Sequence, residues 1–213
     1  MATESLDTLL EHVKTALGTA YEAVTKKGLQ ARAVADKSVD IRTFADLVVT
    51  EVWKKYFKES RLPISLYTEE LENPVSFSGN PVYSAVGDEV DGTHNQSSGF
   101  GMLPHGSIIG ISDKPDPTFD SFLVSGFLEF NSGNLFYAVK GGGAHLIEGW
   151  ARGGSEEKRL HTSGTTLVSK AKDVIADVYM LNELASAFLP DVALRGGDLR
   201  STAVHLSLVA AGS

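Results

Sequence analysis

The sequence has no cysteine among its 213 residues. This absence excludes a disulfide framework and a thiolate metal site, and it is compatible with a reducing cytoplasm. The sequence also lacks any apolar run approaching the roughly 20 residues that cross a bilayer. Its amino terminus, MATESLDTLLEH, is acidic where a signal peptide is basic. We therefore expect a soluble, cytoplasmic protein that makes no membrane contact.

Basic side chains are also scarce. The chain has 19 Lys and Arg against 27 Asp and Glu, for a formal net charge of −8. The long-range field of such a chain repels polyanions, which argues against nucleic acid and anionic membranes as partners. The glycine run in KGGGAH (140–145) lacks the Lys-Ser/Thr ending of a phosphate-binding P-loop and the spacing of a dinucleotide motif. A nucleotide-binding fold is therefore disfavoured, although a small anion can still bind locally.

Two amphipathic helices are predicted in the first third of the chain. Apolar residues recur at three- and four-residue steps from Leu6 to the stop signal at 26–28, and again after Asp40, with Thr43 near the start of the second helix. The middle of the chain predicts an antiparallel sheet, because GSIIGIS, SFLVSGFLEF, NLFYAVK and AHLIEG are short apolar runs separated by turn residues. The polar SDKPDPTFD segment predicts an exposed loop.

The pattern changes after RLHTSG to strand-then-helix units. DVIADVY precedes LNELASAFL, and DVALRGG precedes STAVHLSLVAAG. This alternation favours a second α/β lobe. We expect an N-terminal α+β lobe at 1–150 that carries the metal-binding motifs, and a C-terminal α/β lobe at 151–213 whose completeness is open.

Acidic side chains cluster at two predicted strand ends. PISLYTEE ends with Glu69 and Glu70, and VGDEVDGTHN (86–95) places three acids within four residues before breaking on a glycine. Hard divalent cations such as Mg²⁺ prefer several oxygen ligands, and carboxylates from separate strand ends can converge on one ion. Glu69, Asp88 and Asp91 are the obvious ligand set.

The turn after these acids offers two further groups. The carbonyl of Val90 can turn inward, and Gly92 relieves the tight turn. If a helix begins at Gly92-Thr93, its amide groups and the positive end of its dipole would attract a phosphate. The alternative is that Asp-Gly-Thr is a hairpin turn or a helix cap and that the acids are solvated surface. The order in which several motifs occur favours the metal site.

Four motifs follow one another along the chain: DIRTFAD, YTEE, GDEVDGTHN and YAVKGGGAHL. The series resembles the inositol monophosphatase superfamily of magnesium-dependent, lithium-sensitive phosphomonoesterases, which includes inositol monophosphatases and archaeal-type fructose bisphosphatases. The segment 40–46 is similar to the family's Asp-x-x-Thr-x-x-Asp, Glu69-Glu70 to its Glu-Glu strand end, and 88–93 to its Asp-Pro-Ile-Asp-Gly-Thr signature. The likeness spans nearly the whole chain.

The resemblance implies a magnesium-dependent phosphoric monoester hydrolase. Its substrate would be an inositol phosphate or a fructose bisphosphate. By the same resemblance, Glu69, Asp88 and the Val90 carbonyl would bind one metal ion, and Asp88 and Asp91 would bind a second.

The resemblance also implies the substrate contacts. The backbone amides of Gly92 and Thr93 would hold the phosphate. Thr93, hydrogen-bonded to Asp46, would position and deprotonate a water together with Glu69 or Glu70. The expected partner is thus a small phosphorylated metabolite, and the chain is expected to form a homodimer.

The implied fold is mixed α/β, a layered α-β-α-β-α sugar-phosphatase fold that lacks the last strand and helix. The family carries a further Asp in a downstream Trp-Asp-x-x-Ala segment, whereas this sequence stops at Ser213. Either the gene continues past Ser213 or the protein lacks those elements. Glu89 stands where the family has proline, and we expect its side chain to point to solvent. The alternative function is a non-catalytic, family-derived metal-binding or assembly protein with an incomplete active site.

Overall fold

A computed structural model of the chain describes residues 4–26, 33–37, 40–98, 103–162, 164, 174–176, 194–196 and 201–210. The helices are α1 (Leu6–Lys26), α2 (Phe44–Ser60), α3 (Thr93–Ser98) and α4 (Thr202–Ala210). The strands are β1 (Ala33–Lys37), β2 (Asp40–Thr43), β3 (Ile64–Thr68), β4 (Val75–Ser76), β5 (Tyr83–Asp91), β6 (Gly106–Ser112), β7 (Phe122–Glu129), β8 (Leu135–Val139), β9 (Gly143–Ile147), β10 (Glu157–Arg159), β11 (Val174–Ala176) and β12 (Leu194–Gly196).

Eight of these strands form one sheet in the order β10-β9-β8-β7-β6-β5-β3-β4. Strands β5 to β10 follow one another as antiparallel neighbours, which confirms the antiparallel sheet predicted from the alternating runs. The pair β3 and β5 is parallel instead. The carboxyl ends of these two strands therefore meet at the same edge of the sheet, and both predicted acid-bearing segments end there.

Helices α1 and α2 cover one face of the sheet. The inward sides of the two helices are buried, at Leu9, Val13 and Leu17 of α1 and at Val49, Trp53 and Phe57 of α2, whereas the predicted apolar positions Leu6 and Phe44 at the helix starts are exposed. Trp53 donates its indole N–H to the carbonyl of Ala16 on α1 at 2.9 Å. A Cβ at Gly126 of β7 would lie 2.8 Å from Val13 and 2.9 Å from Leu17 of α1. Glycine at this position therefore lets α1 pack closely against the sheet.

Helix α4 packs on the opposite face. Gly126 faces α1, so its neighbour Phe127 points to the other side of the sheet. There Phe127 forms a second apolar cluster with Ala203 and Val204 of α4. The described chain thus has helix, sheet and helix layers, and the predicted mixed α/β layered fold is confirmed in these elements.

The remaining strands form two separate pairs. Strands β1 and β2 pair antiparallel, and β11 and β12 pair parallel. The predicted strands in DVIADVY and DVALRGG are confirmed as β11 and β12, while the helix predicted at LNELASAFL lies outside the described residues. The division into lobes at 1–150 and 151–213 stays a prediction. None of the helices in the described ranges is both long and apolar enough for a bilayer crossing.

Candidate active site

The site is built at the shared carboxyl ends of β3 and β5. Thr68 and Gly87 are Cα partners in the parallel ladder, so Glu69 and Asp88 come next on neighbouring strands. Neighbouring strands lie about 4.8 Å apart, which puts these two acids side by side. Glu69 is exposed in the turn that follows β3, whereas Glu70 and Asp88 are half-buried. Both acidic segments predicted from the sequence therefore reach the same edge.

A β-bulge in β5 sets the directions of its acids. Asp88 pairs with Ile108 of β6 and Asp91 pairs with Gly106, and one extra residue lies in β5 between these pairs. Three steps along a regular strand would turn Asp88 and Asp91 to opposite faces. Because the bulge adds one residue, the side chains of Asp88 and Asp91 can point to the same side of the sheet.

Asp88 lies in a strongly negative environment. Burial raises its pKa, and the charges of Glu69, Asp91, Glu89 and Asp46 raise it further, to about 8. Its Oδ1 accepts a hydrogen bond from the amide of Val90 at 3.0 Å, which holds the carboxyl against the bulge. Besides burial, the rise in the pKa of Asp88 reflects repulsion among neighbouring carboxylates. A bound cation would offset this negative charge.

Asp91 links the bulge to α4. Its Oδ2 accepts hydrogen bonds from the hydroxyl of Ser201 and from the amide of Ala203, the latter at 3.1 Å. The amide of Val204 donates to Ser201 Oγ at 3.3 Å. Asp91 and Ser201 therefore cap the first turn of α4 together, and one carboxylate oxygen of Asp91 is engaged by that helix.

The turn predicted to hold phosphate follows directly. Gly92 has φ of +85°, a conformation that glycine adopts without strain, and its carbonyl accepts from the amides of Asn95 and Gln96 at 2.8 and 3.1 Å. These bonds begin the six-residue helix α3, so Gly92 and Thr93 do lie at a helix start. Thr93 Oγ1 donates to the Val90 carbonyl at 2.7 Å. This hydrogen bond joins the residue expected to position water and phosphate to the carbonyl expected to bind metal.

Asp46 lies in the first turn of α2 and is only 1% exposed. Its charge acts on Asp88, so this helix start faces the acidic edge of the sheet. One turn later, Thr50 Oγ1 lies 2.6 Å from Glu89 Oε1 and 2.9 Å from the carbonyl of Asp46, so its single proton is shared between these two acceptors. Thr50 therefore connects α2 to the acid-bearing strand, although no sequence motif points to this residue.

The expectation for Glu89 was wrong. Its side chain is 0% exposed, and burial raises its pKa to about 7, although the hydrogen bond from Thr50 acts in the opposite direction. Alternation along β5 would point Glu89 away from its buried neighbour Val90, but both residues are buried at the bulge. The sequence contains no clear sign of that bulge, so this reversal could not be predicted.

The donors suit a hard divalent cation, because Glu69, Asp88, Asp91 and the Val90 carbonyl offer oxygen alone. In the part of the chain that the structure describes, however, no three His, Asp or Glu side chains converge closely enough to hold an ion. Glu69 is exposed, so a change of its rotamer would not disturb the core. Binding by this set therefore requires rotation of side chains about a backbone that already brings them to one edge.

Solved structures show which fold this arrangement belongs to. The extragenic suppressor protein SuhB of Bartonella henselae superposes with a TM-score of 0.74, over 96% of this chain and 75% of its own, at 15% identity. The IMPase of Thermotoga maritima matches with a TM-score of 0.71, over 97% of this chain and 73% of its own, at 16% identity. The chain has the inositol monophosphatase fold.

A third structure with this fold is the fructose-1,6-bisphosphatase of Leishmania major. It matches with a TM-score of 0.69, over 99% of this chain and 74% of its own, at 16% identity. No protein-family model matches the sequence, and no curated protein matches it significantly. Likeness at these identities establishes the inositol monophosphatase fold, which confirms the fold expected from the ordered motifs.

Proposed function

We propose that this chain is a magnesium-dependent phosphatase that hydrolyses a small phosphate monoester. The observation that carries the proposal is the acidic edge at the ends of β3 and β5, where burial and four neighbouring carboxylates raise the pKa of Asp88 to about 8. An inositol phosphate or a fructose bisphosphate is the proposed substrate, because the fold is shared with an IMPase and a fructose-1,6-bisphosphatase.

Each part of the site has a proposed task. Glu69, Asp88 and Asp91 hold the metal, together with the Val90 carbonyl. When bound, Mg²⁺ supplies Lewis acidity and neutralises charge on the phosphate. The backbone amides of Gly92 and Thr93 at the α3 start orient the phosphate, whose phosphorus is attacked by water as the ester oxygen leaves with a proton.

The remaining residues handle the water. Thr93 and Asp46 position it for in-line attack, and Glu69 or Glu70 accepts its proton. Asp46 suits positioning because it is buried on a helix and thereby fixed, whereas Glu69 is exposed and able to exchange a proton with solvent. No covalent intermediate with the protein is required.

Asp88→Asn is the test variant. The amide keeps the oxygen that accepts from the Val90 amide but removes the charge. We expect wild-type protein to release phosphate from inositol 1-phosphate or fructose 1,6-bisphosphate only with Mg²⁺, and D88N to lose activity by on the order of 100-fold. Asp116→Asn, in an exposed loop, is the matched control and should retain full activity. Undiminished turnover by D88N would rule the proposal out.

A second candidate function is a non-catalytic metal-binding or assembly protein. It is favoured by the engagement of Asp91 Oδ2 with the amino end of α4, which commits a predicted ligand oxygen to capping. This candidate predicts weak or single-site Mg²⁺ binding by calorimetry and no hydrolysis across a panel of phosphate esters. Turnover of any ester in that panel by the wild type, lost in D88N, would remove it.

A further inference from the structure

Glu89 joins elements that meet at the acidic edge. It lies in β5 between the half-buried Asp88 and the buried Val90, and its backbone carbonyl accepts from the hydroxyl of Ser107 on β6. Its carboxylate reaches the other way, to α2, where Thr50 donates to Oε1 at 2.6 Å. A single side chain thus connects the bulge of the sheet to the helix above it.

The connection continues to the residue proposed to position water. Thr50 Oγ1 also lies 2.9 Å from the carbonyl of Asp46, one turn earlier in α2, and its single proton is shared between this carbonyl and Glu89. Asp46, Thr50 and Glu89 are 1%, 3% and 0% exposed, so solvent does not compete for these contacts. Buried hydrogen bonds of this kind have a narrow range of geometries, because an unmade bond leaves a polar group without a partner.

Stability alone does not explain a carboxylate here. Glu89 adds a fourth acid to those that raise the pKa of Asp88, and a buried carboxylate costs more free energy than an apolar side chain of similar volume. The hydroxyl of Thr68 also acts on this carboxyl, but no hydrogen bond of ordinary geometry reaches Oε2, so the burial is only partly compensated. Because Glu89 destabilises the fold at the edge of the candidate site, we expect its side chain to contribute to the function of that site.

We propose that Glu89 and Thr50 form a positioning pair that fixes Asp46 on α2 relative to Asp88 and Asp91 in the bulge of β5. This inference rests on the proposed function, in which Asp46 orients the water that the acidic edge activates. Glu89 acts through Thr50 and the backbone rather than on the substrate, because it is fully buried beneath the bulge.

Thr50→Val and Thr50→Ser test the pair. Valine has the shape of threonine without the hydroxyl, whereas serine keeps the hydroxyl. We expect T50V to lower kcat about tenfold or more with KM changed by less than about twofold, and T50S to stay within about twofold of wild type in both. Activities are compared at a temperature at which circular dichroism shows every variant folded. If T50V does not fold, Thr50→Ala takes its place, because it leaves room for a water beside Glu89.

A merely structural contact would give a different result. T50V would then have a lower Tm but the kcat of wild type, or T50S would fall as far as T50V, and either outcome overturns the proposal. Mg²⁺ affinity, measured by calorimetry on the same proteins, is the second readout, since a displaced bulge also displaces the metal ligands. We expect T50V to bind Mg²⁺ about tenfold more weakly and T50S to match wild type.

The calorimetric readout separates the pair from the phosphatase proposal. If wild type hydrolyses no ester, the proposed function fails, and the pair is judged on Mg²⁺ affinity alone. Weaker binding by T50V, restored in T50S, then supports a role in placing ligands. Equal affinities in all three proteins, or no Mg²⁺ binding by wild type, overturn the positioning pair.

Discussion

At the scale of single residues, Gly106 shows what the acidic bulge requires. It stands opposite Asp91 in the ladder, and a Cβ added there would lie 2.1 Å from the backbone oxygen of Leu128 and 2.7 Å from the ring of Phe127. A backbone oxygen cannot swing aside as the end of a flexible side chain can. The strand opposite the bulge therefore tolerates no side chain at this position.

Gly106→Ala is accordingly expected to be destabilising. Relief of the clash must shift β6 against β7, and overpacking of this kind costs about 1–3 kcal/mol in the free energy of unfolding. Urea denaturation followed by circular dichroism measures the loss. Gly79→Ala is the matched control, because no atom lies within 4 Å of its added Cβ. Equal stability of the two variants would show that the β6–β7 contact is looser than described.

Residue chemistry also explains which parts of the site could be predicted. Glu69, Asp88 and Asp91 were singled out because the acid-bearing motifs occur in a known order, since acids at the ends of strands are common by themselves. Glu89 was misplaced because its direction depends on a one-residue bulge. Thr50 was missed because a threonine inside a helix usually bonds only its own preceding turn, and its second contact reaches a residue 39 positions away.

At the scale of elements, α1 and α2 are coupled by a polar contact at the side of their apolar interface. His12 Nδ1 and the hydroxyl of Tyr56 are 2.7 Å apart. Burial lowers the pKa of His12 below the ordinary 6.5, and the charge of Glu4 only partly opposes this. The folded state therefore resists protonation of His12, while the unfolded chain accepts it.

This contact predicts a pH dependence. Because the pKa is lower in the folded state, the contribution of His12 to stability is intact above about pH 6.5 and is lost as the pH falls through the folded-state value. We expect His12→Gln to lose less stability than wild type between about pH 7 and about pH 5, measured by urea denaturation at each pH. Tyr56→Phe keeps the buried imidazole and should retain the wild-type acid sensitivity. Parallel pH profiles for wild type and H12Q would contradict the explanation.

Helices and strands were predicted correctly where their own residues carry a periodic apolar pattern. The 21 residues of α1 and the alternating runs of β6 to β9 carry their own periodicity, so their positions agree with the structure. The short strands β4 and β10 were missed, because two residues, or an exposed EKR triplet, carry no such pattern. Their pairing is decided by the neighbouring strand rather than by their own sequence.

At the scale of the whole molecule, the sheet order explains how a chain with 15–16% identity to three solved structures can share their fold. Helices α1 and α2 pack on one face and α4 on the other, and the parallel β3–β5 pair turns two acidic segments toward one edge. Apolar spacing and turn positions preserve this arrangement, and both tolerate wide changes of residue. The acidic residues at this edge were identified from sequence motifs and not from apolar spacing.

The central claim is that carboxylates from β3 and β5 bind Mg²⁺ together. The most direct test is isothermal titration of Mg²⁺ into wild type, Asp88→Asn and Asp116→Asn at neutral pH. The claim predicts saturable binding by wild type and by D116N, and affinity lower by about tenfold or more for D88N, because the half-buried acid between Glu69 and Asp91 is removed. Equal affinity of D88N and wild type, or no saturable binding by wild type, would contradict it.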